Sequence, residues 1–211
     1  MSARTARTTP TAPPARGRTA SRAAAAAAVA GVLALSACGP GGSGGDGSSG
    51  AGFGRSADRT ATVPPADRKA APELSGTTTR GKRLDVADYR GKVVVLNVWS
   101  STCGPCIAEA PGLVNVARSS RVKGVRFVGI NTRDAETSQA TAFEEQHKVP
   151  YPSLSDPAGR LLLRFPKGSL NPQSIPATLV LDRHGRLAAR TMGAVDEDTL
   201  RKMIAPLVKE K

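Results

Sequence analysis

An α/β sandwich built on a mixed central sheet is the fold class this sequence predicts, and three observations predict it. The run Val93-Val94-Val95-Leu96-Asn97-Val98-Trp99 is nearly all apolar and rich in β-branched residues, as a strand covered on both faces requires. A similar run, Val125-Arg126-Phe127-Val128-Gly129-Ile130-Asn131, follows after a helix-length interval. Near the C-terminus two short apolar segments flank Arg183-His184-Gly185-Arg186, a hairpin signal with glycine in the turn, and a helical pattern closes the chain.

In chain order, Lys82 to Val86 predicts a short strand, and Asp88-Tyr89-Arg90-Gly91-Lys92 a turn into the strand over 93–99. A helix is predicted from Pro105 or Cys106 to about Ser119, interrupted by a kink at Pro111-Gly112, because proline lacks an N–H and crowds the preceding turn. The strand over 125–131 leads to a helix over 136–147 with a moderately apolar face, closed by Val149-Pro150, and Arg160 to Phe165 predicts a short helix. Ala177 to Asp182 and Leu187 to Thr191 form the arms of the hairpin. Over 196–208, Leu200, Met203, Ile204 and Leu207 recur at helical spacing. The order β-β-α-β-α-β-β-α indicates a mixed sheet flanked by helices.

The N-terminus reads as a targeting segment. Residues 1–22 carry five arginines and no acid, and an alanine-rich apolar stretch follows from Ala23 to Ala37. A basic start, a short apolar core and small residues before a cleavage point make a secretory signal over 1–37. The apolar stretch falls short of the ~20 residues a comfortable membrane span needs. Leu35-Ser36-Ala37-Cys38, immediately after it, resembles the bacterial lipobox. That resemblance implies lipidation of Cys38 and a mature chain anchored on the extracytoplasmic face of the cell membrane; an ordinary signal peptide or an uncleaved anchor is the competing reading. Residues 38–70 open with Gly39-Pro40-Gly41-Gly42-Ser43-Gly44-Gly45 and stay rich in Gly, Ser and charge. Such a composition cannot offset chain entropy by burial, so a flexible tether is expected, about 30 residues with an r.m.s. span on the order of 30 Å. The folded domain is then expected over 71–211, a normal size for one domain.

The net charge of +13 suggests nucleic acid, but five of those charges lie in the signal segment. From Cys38 onward 25 basic residues face 17 acidic ones, a net +8, without a concentrated basic run. Seven aromatic residues in the whole chain make no stacking platform for bases, so no nucleic-acid partner is expected. A solvated basic surface accounts for the charge.

Cys103-Gly104-Pro105-Cys106 carries the chemistry. Two thiols separated by two residues can close a disulfide and reopen it, and here they follow a buried strand and open a helix. The first sulfur then lies at a helix N-terminus, where partial positive charge and free N–H groups favour the thiolate. A static bridge and a zinc half-site are the alternatives. Zinc needs two further ligands, and His147 and His184 stand isolated in sequence; covalent haem needs a histidine where Ile107 stands. No metal or cofactor is expected, and neither histidine is assigned a role. Of the three cysteines, lipidation of Cys38 leaves a single pair in the mature protein. Glu109, three residues after Cys106, shares its helical face, where a carboxyl can take or return the buried thiol's proton; a solvated acid complementing the helix dipole is the other reading.

At this point the chain resembles the TlpA/ResA group of thioredoxin-like, membrane-associated thiol-disulfide oxidoreductases. The matching pieces are Asp88-Tyr89-Arg90-Gly91-Lys92 with the strand to Trp99, the Cys103–Cys106 motif followed by Glu109-Ala110-Pro111, and Ile175-Pro176-Ala177-Thr178 with Leu179-Val180-Leu181-Asp182. The resemblance spans about 72–208. It implies a thioredoxin-like fold with an N-terminal β extension and the group's central insert, here from Asn131 to about Pro172. It further implies Cys103 as the attacking thiol, Cys106 as the resolving one, and Glu109 as proton carrier. Pro176 is expected to be cis, with Ile175 beside the dithiol as a platform for a client strand. Asn97 occupies the place of the buried acid of plain thioredoxins, which increases the weight on Glu109. Thr102 departs from the family, which carries Trp before the first cysteine.

Gly-Pro between the cysteines matches reducing thioredoxins, whereas strong oxidants of the DsbA type have Pro-His; the two lie at roughly −270 and −120 mV. The expected activity is therefore reduction of protein disulfides outside the cytoplasm by a monomer. Its electrons would come from a CcdA-type membrane donor, and its clients would include apocytochrome c thiols. A peroxiredoxin-type peroxidase is a second reading, opposed by Leu96 and Ser100 where that family has Pro and Thr. A Sco-type copper chaperone is a third, opposed by two rather than three residues between the cysteines.

Overall fold

A computed structural model provides the structure of the protein and describes Phe53 and residues 59–210. The signal segment, Cys38 and the tether up to residue 58, Phe53 apart, lie outside the described residues. The strands are β1 (Thr60–Thr62), β2 (Ser75–Thr77), β3 (Arg83–Asp85), β4 (Val93–Trp99), β5 (Val125–Thr132), β6 (Ser153–Asp156), β7 (Ala177–Leu181) and β8 (Leu187–Met192). The helices are α1 (Gly104–Ser120), α2 (Thr137–Gln146) and α3 (Glu197–Lys209). Six strands form one sheet in the order β1-β8-β7-β4-β5-β6, while β2 and β3 pair separately as an N-terminal β extension. Strands β4, β5 and β6 run parallel, and β7 joins β4 antiparallel with Val98 opposite Ala177 and Val94 opposite Leu181. The expected mixed sheet flanked by helices is present.

All seven residues of β4 are buried, and the pleat divides them between two cores. Val94, Leu96 and Val98 pack with Val128, Ile130, Leu154, Leu179 and Leu74 on one face. Val93 and Val95 meet Leu113, Val116, Leu200, Met203 and Leu207 from α1 and α3 on the other. The helical stripe Leu200, Met203, Ile204 and Leu207 is buried, and Asp196 caps α3 by accepting the Thr199 N–H at 2.8 Å. The hairpin turns at Gly185, whose φ of 71° suits a residue without Cβ.

Four elements differ from expectation. Residues 60–62, assigned to the tether, form β1, which pairs with β8 through Thr60 opposite Thr191. Arg68, also upstream of 71, is anchored to Asp182 and Glu210, and the buried Phe53 ring lies 4.8 Å from the Arg190 guanidinium. The fold therefore begins well before the expected boundary. Strands β2 and β6 had no sequence signal strong enough to be expected. Helix α1 runs unbroken through Pro111; the proline removes one hydrogen bond, and burial of Ala110, Leu113, Val114 and Val116 on either side holds the helix together.

Candidate active site

Strand β4 ends at Trp99, and Ser100 to Thr102 lead directly into α1. Cys103 is the N-cap of α1, and its sulfur accepts the Cys106 N–H at 3.2 Å. Proline at the second helical position suits the first turn, whose N–H groups have no helical partner. Cys103 is half-buried and Cys106 only 2 % exposed, and the two are joined as a disulfide. One sulfur thus meets solvent while the other is covered.

What covers Cys106 is a small cluster of Trp99, Ala110, Ala140 and Phe143, against which Cys103 and Ile175 also pack. The Trp99 and Phe143 rings stack at 4.4 Å, so α2 roofs the buried thiol. Trp99 is 3 % exposed, as befits a packing residue. The Ile175–Pro176 peptide is cis, and the Pro176 carbonyl accepts the Gly193 N–H at 2.8 Å. The structure thus brings Ile175, expected beside the dithiol, into its cluster. Thr102 is exposed, its hydroxyl 3.2 Å from the Ser100 hydroxyl. His147 caps the end of α2, its ring 4.4 Å from that of Phe143, and His184 lies in the hairpin turn.

Glu109 is 5 % exposed. Its two carboxyl oxygens accept from Asn97 Nδ2 and from the Val195 N–H, each at 2.8 Å. Burial disfavours the carboxylate more than these two donors favour it, and the pKa is pushed up to about 7. Glu109 is therefore no solvated acid of the first turns. Its partner at 195 comes from the loop before α3, 86 residues away, and no local pattern announces it. A second buried acid, Asp134, carries no local signal in the sequence; it grips the loop before Cys103 through Ser100 and Ser101. Among the described residues no group of three His, Cys, Asp or Glu side chains could hold a metal ion.

A half-exposed sulfur at a helix N-terminus, a covered second sulfur and a carboxyl that titrates near neutrality can together pass a disulfide outward and manage one proton. Known proteins resemble this chain in sequence and fold. The Redoxin family model matches residues 65–204. The thiol:disulfide interchange protein DsbE of Pseudomonas aeruginosa is 30 % identical over 138 residues, covering 65 % of this chain and 72 % of its own. The thiol-disulfide oxidoreductase ResA of Bacillus subtilis is 26 % identical over 130 residues, 62 % of this chain and 69 % of its own. A DsbF homologue from Corynebacterium diphtheriae superposes with a TM-score of 0.68 at 29 % identity, over 72 % of this chain and 96 % of its own. The chain belongs to the Redoxin family, as a thioredoxin-like thiol-disulfide oxidoreductase of the DsbE and ResA type.

Proposed function

We propose that the protein is a membrane-tethered, extracytoplasmic reductant of protein disulfides. The observation that carries the reading is the asymmetry of the pair, with Cys103 half-exposed at the N-cap and Cys106 covered. In the reduced protein the Cys103 thiolate attacks one sulfur of a client disulfide, forming a mixed disulfide and releasing the first client thiolate. Cys106 gives its proton to the Glu109 carboxylate and attacks the Cys103 sulfur. The second client thiolate leaves, and the two electrons lost by the dithiol reside on the client, while the protein is left as the Cys103–Cys106 disulfide. Ile175 and Pro176 offer the client backbone an edge beside the reacting sulfurs.

Gly104-Pro105 supports the reducing direction. The Leu35–Cys38 segment supports lipidation at Cys38 and with it an extracytoplasmic place on the cell membrane, reached by electrons from a CcdA-type donor. Apocytochrome c thiols before haem attachment are the client class, and the protein acts as a monomer. Insulin reduction by the full chain tests the roles. Cys103→Ser is expected to abolish turnover and Cys106→Ser to accumulate mixed disulfides; the opposite pattern refutes the assignment. A reduction potential above about −180 mV refutes the reducing direction.

A further inference from the structure

We propose that Asp134 is a positioning residue for the dithiol: its buried carboxyl clamps the loop from Ser100 to Thr102 onto the end of β5 and so holds Cys103 at the N-terminus of α1. Asp134 is 4 % exposed. Its Oδ1 accepts from the Ser100 hydroxyl at 2.7 Å and the Ser101 hydroxyl at 2.9 Å. Its Oδ2 accepts from the Ser101 N–H at 2.9 Å and from Asn131 Nδ2 at 2.6 Å. Every partner is a donor, the arrangement that suits a carboxylate, and three of the four come from the two residues that follow β4.

The clamp reaches the sulfur through two short links. The Cys103 N–H donates to the Ser100 carbonyl at 3.2 Å, closing a turn over the loop. The Ser100 hydroxyl, itself held by Asp134, accepts the Thr102 N–H at 3.4 Å. With the carboxyl removed, a buried hydroxyl, an amide side chain and a backbone N–H lose their acceptor together, and the loop has no reason to keep this shape. Cys103 is then free to leave the Cys106 N–H that its sulfur faces, and the thiolate loses the stabilisation of the helix end.

A clamp and a bare charge predict opposite effects on the thiol. A nearby negative charge raises a thiol pKa, so deleting it lowers that pKa. Loosening the loop raises it. The proposal rests on Cys103 being the attacking thiol, and the test keeps the two claims apart. The reduced full chain, Asp134→Ala and Asp134→Asn are labelled with iodoacetamide between pH 5 and 9, the labelled residue is located by mass spectrometry, and the fold is followed by fluorescence of Trp99, the only tryptophan. Asp134→Ala is expected to move the labelling midpoint up by about half a pH unit or more and to slow labelling at neutral pH about threefold or more. Asp134→Asn, which keeps an acceptor for Ser101 but no charge, is expected to stay close to the unsubstituted protein. An unchanged midpoint in folded Asp134→Ala overturns the clamp, and so does an equal downward shift in both variants. Should Asp134→Ala not fold, Ser100→Ala removes one donor and is expected to give a smaller upward shift, with no shift overturning the proposal. Labelling that falls first on Cys106 in the unsubstituted protein refutes the assignment of Cys103, while the variants still test the clamp at whichever thiol reacts.

Discussion

Replacing Glu109 with Gln is expected to change how stability depends on pH, and the size follows from the site. In the unfolded chain a glutamate titrates at 4.5, whereas burial pushes the folded group up to about 7. Between those values the folded state holds a proton that the unfolded state has lost, so stability falls as pH rises. The favourable contribution is fully present below about pH 4.5 and gone by about pH 7. At about 1.4 kcal/mol per pH unit, the whole swing is ~3 kcal/mol. Glutamine cannot titrate, and its amide turns an NH2 toward Asn97 or Val195, a mismatch costing about 1–3 kcal/mol at every pH. Urea unfolding of the oxidised protein and of Glu109→Gln from pH 4 to 8 measures the difference. Both cysteines are locked in the disulfide, so they do not titrate, and the remaining acids are common to both proteins. The advantage of the glutamate protein over the variant is expected to shrink by ~3 kcal/mol between pH 4 and pH 7 and then stay level. A difference constant across that range would refute the reasoning that a buried, proton-holding carboxyl sits behind the dithiol.

Two further substitutions address the frame of the site. A Cβ on Gly129 would lie 2.8 Å from Trp99 Nε1 and 2.8 Å from Ser153 Cβ, so Gly129→Ala is expected to cost ~1–3 kcal/mol in chemical unfolding and to alter Trp99 fluorescence in the folded state. Arg68→Ala takes from Asp182, whose side chain is 3 % exposed, one of its two guanidinium partners, leaving Arg186 at 2.8 Å, and breaks a two-pronged contact with Glu210. A loss of about 1–3 kcal/mol is expected from the urea midpoint, and an unchanged midpoint would show that the Arg68 contacts add nothing to the fold.

Long buried elements were legible in the sequence because burial on both faces leaves a continuous apolar run. Strands β4 and β5, the β7–β8 hairpin and α3 are of this kind. Strand β6 reads Ser153-Leu154-Ser155-Asp156, polar at three of four positions, and yet it is largely buried; its place depends on pairing with β5 rather than on its own hydrophobicity. Strands β1 and β2 are three residues each, too short for a period to show, and β1 sits behind a Gly- and Ser-rich stretch that reads as tether. The dithiol was plain because its chemistry is local. Glu109 lies in α1 three residues after Cys106, as the sequence spacing predicts, but its hold by Asn97 and the Val195 N–H depends on a loop far away in sequence. Asp134 was invisible for the same reason: its partners lie 33 and 34 residues upstream as well as three.

Strand β1 has a practical consequence for anyone handling the molecule. Thr60 pairs with Thr191, whose neighbour Met192 faces Ala177, the residue after Pro176. The chain thus joins the sheet at its working end, with Arg59 bonded to the Met192 carbonyl and close against Gly193. Glu210 instead lies by Arg68 and Arg183, at the opposite end of β7. An affinity tag or fluorescent fusion placed just before Arg59 would crowd incoming clients, whereas one appended beyond Glu210 would leave the reacting sulfurs open.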